Sequence, residues 1–260
     1  MTRDERRTSS PPSTRLPRPD LVFFDVGDTL VRPDPSWADI YLGACRPFGL
    51  ELDAAALTAA LAETPWEVAG PFEPSREASF EQVTQFDRAV LARLGYRELP
   101  AELFRSIEAA FAAREAWHVF PDVLPALEAL AREDVRRAVI SNWVWGAPEL
   151  LHDLDLAGHF EALVVSSRVG YQKPQREIFE HGLELTGVAR ECALHVGDSY
   201  RADVLGARAA AIQPVLIDRA IADPTRAANR PPQLDVPVIR DLFELLDLIG
   251  VERPDLPSPG

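Results

Sequence analysis

The sequence predicts an α/β fold, a doubly wound parallel sheet carrying an all-helical insertion. Three observations predict it. Several short runs are apolar at every position and stop at a polar residue, as strands covered on both faces do. Helical patterns separate most of these runs, which argues for parallel strands joined by crossovers. Between the first run and the second lies one long stretch that is helical throughout.

Residues 1–19 hold five arginines, four prolines and no hydrophobic pattern, and read as a disordered arm. The first strand is Leu21-Val22-Phe23-Phe24, ending at Asp25. Ala138-Val139-Ile140 before Ser141, Leu163-Val164-Val165 before Ser166, and Ala193-Leu194-His195-Val196 before Gly197-Asp198 follow. Val215-Leu216-Ile217 and Val236-Pro237-Val238-Ile239 are weaker strands. Asp122 stands as N-cap of a helix presenting Val123, Ala126, Leu127 and Leu130. Further helices close near Gly187 and at Gly250. In the insertion, Ser36 caps a helix ended by Gly49, and Ala55 to Thr64 is a second helix. Ser79-x-x-Gln82 fits a capping box opening a third, and Leu103 to Phe111 gives a fourth. The expected layout is an α/β core at 20–34 and 118–250, the helical insertion at 35–117, and a flexible tail at 251–260.

Composition narrows the function. With 260 residues, 47% hydrophobic and 26% charged, the chain forms one large domain or two modest ones. No apolar run approaches the roughly 18 residues of a membrane span, and the first residues lack the apolar core of a secretory signal. A net charge of −14 disfavours nucleic acid and anionic lipid as partners. Cys45 and Cys192 are too few for a disulfide framework or a thiolate zinc site. The expectation is a cytoplasmic monomer or homodimer acting on a small molecule, with no nucleic-acid or membrane partner.

In open α/β sheets ligands bind beyond the carboxyl ends of the strands. Asp25, Ser141, Asp198 and Asp203 all follow such ends, and Lys173 lies a few residues past another. Lys173 is also the one lysine among 27 basic residues, which marks a position needing a compact ammonium that arginine does not replace. Three carboxylates converging on one edge repel, so a cation and a lysine are needed to keep them ionised.

The segments FFDVGDTL (23–30), VISN (139–142), GYQKP (170–174) and VGDSYRAD (196–203), in this order, resemble the haloacid dehalogenase-like (HAD) hydrolase superfamily. The resemblance spans residues 20 to 250 and implies a Rossmann-like core. The insertion resembles the C1-type cap of subfamily I members. The resemblance implies that Asp25 is a nucleophile forming an aspartyl-phosphate. It implies that Asp25, the carbonyl of Gly27, Asp198 and Asp203 hold Mg²⁺. Ser141 and the neighbouring backbone amide, that of Asn142, would bind a phosphate oxygen, and Lys173 would neutralise charge on the nucleophile and phosphoryl group. The implied activity is a phosphatase for a small phosphorylated metabolite.

One motif departs from the family pattern. Gly27-Asp28 stands where the family has aspartate then glycine, so the side chain that protonates the leaving group is missing at 27. General acid–base catalysis contributes roughly 10² to 10⁴ in rate, so turnover is expected to be slow. Asp28 is a candidate substitute, although a one-residue shift points a side chain elsewhere. Two other functions stay open: a catalytically weak protein binding phosphate or a partner, and a metal-free 2-haloacid dehalogenase. Trp37, Trp66, Phe72 and Arg76 in the insertion, with Trp143 and Trp145, are candidate substrate contacts or packing residues. The five histidines show no metal-ligand spacing, and His195 reads as a hydrogen-bonded core residue.

Overall fold

The structure is a computed structural model describing residues 15–66, 71–219 and 235–254. Its main sheet contains β1 (Leu21–Phe24), β4 (Arg136–Ser141), β5 (Leu163–Val165), β6 (Ala193–Gly197), β7 (Gln213–Ile217) and β8 (Val238–Ile239). The spatial order is β5-β4-β1-β6-β7-β8, and every pairing is parallel. The chain steps to one side of β1 for β4 and β5, then to the other side for the remaining strands. In open α/β sheets a reversal of this kind marks the strand end beyond which ligands bind, here that of β1.

The apolar runs are continuous because both faces of the sheet are covered. Val22 and Phe24 join a buried cluster with Leu127, Leu130, Leu242 and Leu246. Those residues come from α5 (Val123–Arg132) and the last helix, Leu242–Ile249. Leu21 and Phe23 point the other way, into a cluster with Ile178, Phe179 and Ala207. This Rossmann-like core agrees with the fold class the sequence predicts.

The insertion contains α1 (Trp37–Cys45), α2 (Ala54–Glu63), α3 (Arg76–Arg93) and α4 (Ala101–Ala112). Cys45, Leu57, Val90, Leu103 and Ile107 give it a hydrophobic cluster of its own. An antiparallel ribbon of β2 (Val31–Pro33) and β3 (Trp117–Val119) ties it to the sheet, with Val31 opposite Val119 and Pro33 opposite Trp117. Ser36 caps α1 by accepting from the Asp39 N–H, and Asp53 caps α2 through the Ala56 N–H.

Several expectations are corrected. The third insertion helix opens at Ser75, whose hydroxyl accepts from the Ala78 N–H, and not at a capping box on Ser79. Ser79 lies one turn inside the helix and instead accepts from the Trp145 N–H at 3.0 Å. Asp122 occupies the N-cap position of α5 without capping it. Its carboxylate takes both terminal nitrogens of Arg219 at 2.9 Å, a charged bidentate pair, and the Leu242 N–H at 2.7 Å. The described end of the expected arm is docked: the Leu16 N–H donates to the Leu248 carbonyl and Arg18 pairs with Glu133. Residues 1–14 lie outside the described residues. The expected tail likewise begins packed, with Val251 buried and Arg253 paired with Asp247, while 255–260 lie outside the description.

Candidate active site

Parallel pairing brings the carboxyl ends of β1, β4 and β6 together, and with them Asp25, Ser141 and the Gly197-Asp198 step. Asp203 comes from the helical turn Tyr200–Leu205, whose entry is capped by Ser199 accepting from the Ala202 N–H. Lys173 arrives on the loop before α8. To reach it the chain passes α6 (Ala147–Asp153) and α7 (Ser166–Val169), with α8 spanning Arg176–Thr186.

At the centre Lys173 Nζ donates to Asp25 Oδ1 and to Asp203 Oδ1, both at 2.6 Å. The Ser141 hydroxyl donates to the same Asp25 oxygen at 2.8 Å. His195 Nε2 lies 2.8 Å from Asp203 Oδ1, and the Ser199 N–H donates to Asp203 Oδ2 at 2.9 Å. The lysine is 1% exposed, so its charge acts in a dry setting.

Burial shapes every ionisation here. It raises the Asp25 carboxyl above its usual range, helped by the charge of Asp203 and opposed by Lys173. Burial also works against charge on Asp203, but Lys173 and His195 outweigh it and hold that carboxyl low. The ammonium of Lys173 loses solvation too, yet Asp203 and Asp25 keep its pKa above the ordinary lysine value. Burial holds His195 below the ordinary histidine range, consistent with a neutral ring.

Asp25, Asp198 and Asp203 each offer a carboxylate oxygen, and the three lie within 4.8 Å of one another. An all-oxygen, triply anionic donor set of this kind suits a hard divalent cation. These three carboxylates are among the four positions expected from sequence, the fourth being the carbonyl of Gly27.

The other expected residues divide. The Asn142 side chain bonds the main chain of Lys173: its Oδ1 accepts from the Lys173 N–H at 2.7 Å and its Nδ2 donates to the Lys173 carbonyl at 2.8 Å. It is a clamp on the lysine loop. Asp28 adopts a left-handed φ of 55° and its Oδ2 accepts from Trp37 Nε1 at 3.3 Å, directing it to the insertion. Trp143 packs against Gly27, Trp66 lies edge-on to Phe86, and Arg168 stacks on Trp145. The Phe72 N–H donates to the Gly170 carbonyl at 2.9 Å, so its main chain joins insertion to core. Arg76 is the first residue of α3.

Sequence spacing identified His195 as a core residue but gave no sign that its partner is Asp203. It also missed Gly197, whose absent side chain makes room for the Asp203 carboxyl.

A family profile described as haloacid dehalogenase-like hydrolase matches residues 19–211. The chain belongs to this family. Among haloacid dehalogenase-like hydrolases it is 27% identical over 245 residues to human haloacid dehalogenase-like hydrolase domain-containing protein 3, covering 91% of this chain and 97% of that one. It is 29% identical to phosphoglycolate phosphatase 1 of Pseudomonas aeruginosa over 246 residues, 90% of this chain and 82% of the relative. The fold matches the HAD-hydrolase YfnB of Bacillus subtilis, a structure bound to magnesium, with a TM-score of 0.70 at 21% identity. That match covers 90% of this chain and 100% of the other.

Proposed function

We propose that this hydrolase is a Mg²⁺-dependent phosphatase for a small phosphorylated metabolite, with Asp25 as nucleophile. The observation that carries the proposal is the shared lysine, 2.6 Å from both Asp25 and Asp203. A buried ammonium between two carboxylates keeps Asp25 anionic and offers positive charge to an incoming phosphoryl group. Among the described residues, both side-chain hydrogen bonds to Asp25 fall on Oδ1, leaving Oδ2 for attack. The phosphatase named among the relatives supports the same chemistry.

Asp25 attacks phosphorus, the ester oxygen departs, and the aspartyl-phosphate is then hydrolysed by water. Ser141 orients Asp25 and binds a phosphoryl oxygen, while Asn142 fixes the Lys173 loop. Three carboxylates and one ammonium leave the pocket at −2, which repels a phosphate dianion. Mg²⁺ held by Asp25, Asp198, Asp203 and the Gly27 carbonyl would supply the missing charge and polarise the phosphoryl oxygens. The insertion acts as a C1-type cap that excludes water.

The test is phosphate release from 4-nitrophenyl phosphate by the wild type and Asp25→Asn, with Mg²⁺ and with chelator. Release that needs both Asp25 and Mg²⁺ is the expected result. Equal release by the two proteins would overturn the proposal. Halide release from a 2-haloacid in chelator would replace it with the dehalogenase chemistry.

A further inference from the structure

Gly27 lies two residues past Asp25, in the turn that leaves β1. A Cβ added there would stand 3.0 Å from Cζ3 and 3.6 Å from Cη2 of Trp143, so the benzo edge of that indole lies against position 27. Trp143 is firmly held. Its N–H donates to the Ser166 hydroxyl at 3.1 Å, that hydroxyl donates to the Trp143 carbonyl at 3.3 Å, and the residue is 9% exposed. Its ring stands 4.9 Å from Trp117, which stands 5.4 Å from Trp37. Trp37 is 36% exposed and donates its indole N–H to Asp28. Indole rings therefore wall the flank of the nucleophile formed by residues 27 and 28.

Among the described residues, none aims an acid at this flank. Ring carbon occupies the space beside position 27. Ser141 and Lys173 aim their hydrogens at Asp25, and Lys173 aims another at Asp203. The carboxylate of Asp28 takes the Trp37 N–H. An ester oxygen leaving here must carry the electron pair away as an anion, and an apolar wall suits a flat apolar group.

We propose that the substrates are aryl phosphate monoesters, whose phenolic oxygen departs unprotonated while the ring packs on Trp143 and Trp37. This rests on the phosphatase proposal above. In the first step the Asp25 carboxylate forms a bond to phosphorus, the phosphorus–oxygen ester bond breaks, and a phenolate leaves with its electron pair. In the second, water adds to phosphorus, the carboxylate is released, and both protons of the water leave on inorganic phosphate.

Phenyl, benzyl and glycerol phosphates separate the two causes. Benzyl phosphate keeps the ring but has an alkoxide leaving group, and glycerol phosphate has neither feature. With Mg²⁺, phenyl phosphate is expected to exceed benzyl phosphate at least ~100-fold in kcat, the scale of an absent general acid. In Asp25→Asn, monitored by tryptophan fluorescence, phenyl phosphate is expected to bind about tenfold more tightly than glycerol phosphate, a margin that Trp37→Ala reduces. Benzyl turnover within tenfold of phenyl turnover, or equal binding of phenyl and glycerol phosphates, overturns the inference and leaves the phosphatase proposal standing. Absence of any Asp25-dependent release overturns both.

Discussion

The carboxyl group of Asp203 lies directly over Gly197: a Cβ on that glycine would fall 2.1 Å from Asp203 Cγ. Gly197 ends β6 and Asp203 lies within the helical turn that returns over it, so strand and turn touch without a side chain between them. Gly197→Ala is expected to push Asp203 off Lys173 and His195. A displacement of about 1 Å costs on the order of 100-fold in rate. Steady-state release from 4-nitrophenyl phosphate measures this, and wild-type activity in the alanine variant would refute the close-contact account.

Lys173 gives a second expectation. Removing its charge in Lys173→Met leaves Asp25 and Asp203 facing each other in a dry pocket, and breaking a buried pair costs about 3–5 kcal/mol. Lys173→Arg is not expected to rescue activity, because a planar guanidinium does not reproduce a point charge 2.6 Å from both oxygens. Chemical denaturation together with phosphate release measures both variants. An active arginine variant would show that charge alone suffices.

The insertion contains a pH-dependent group far from the lysine. Asp87 is 1% exposed, accepts from the Tyr41 hydroxyl at 2.5 Å, and burial lifts its pKa to about 7. Since the folded value exceeds the unfolded one, its contribution is fully present below about pH 4 and is lost as pH rises to about 7. The full loss is roughly 4 kcal/mol. Asp87→Asn is therefore expected to gain melting temperature over wild type progressively between pH 4 and pH 8. A difference independent of pH would place the ionisation elsewhere.

Arg219 is the fourth. Its side chain is 7% exposed, bonded to Asp122, stacked 4.0 Å from the Phe120 ring centre, and its Nε donates to the Thr29 carbonyl at 2.7 Å. It joins the end of β7 to the turn carrying the catalytic candidates. Arg219→Ala strands the Asp122 charge and is expected to lower stability by about 3–5 kcal/mol in urea unfolding. Asp122→Asn with Arg219→Met is expected to recover much of that loss; no recovery would mean the stacking on Phe120 dominates.

The legible parts of this molecule are those written locally. Leu21 to Phe24 announces a strand covered on both faces, and Ser36 announces a helix start, because each signal lies within a few residues. The clustering of Asp25, Ser141, Lys173 and Asp203 was legible through their shared position after strand ends. Ser79 and Asp122 misled because their side chains satisfy distant groups, the Trp145 N–H and Arg219: the first sits a turn inside its helix and the second leaves the N-cap bond unmade. The contact between Gly27 and Trp143 joins residues far apart in the chain, and no local pattern encodes it.

The ribbon of β2 and β3 has an engineering consequence. The chain departs toward the helices at Pro33 and returns at Trp117, its antiparallel partner, so both junctions sit side by side. A short hairpin turn in place of residues 34–116 would thus close a gap that hardly exists. Such an excision would expose Trp143 and open Asp25 to bulk water while leaving the sheet's own strand order untouched. Grafting a foreign helical module onto the same two strands offers a route to new selectivity without rebuilding the carboxylate cluster.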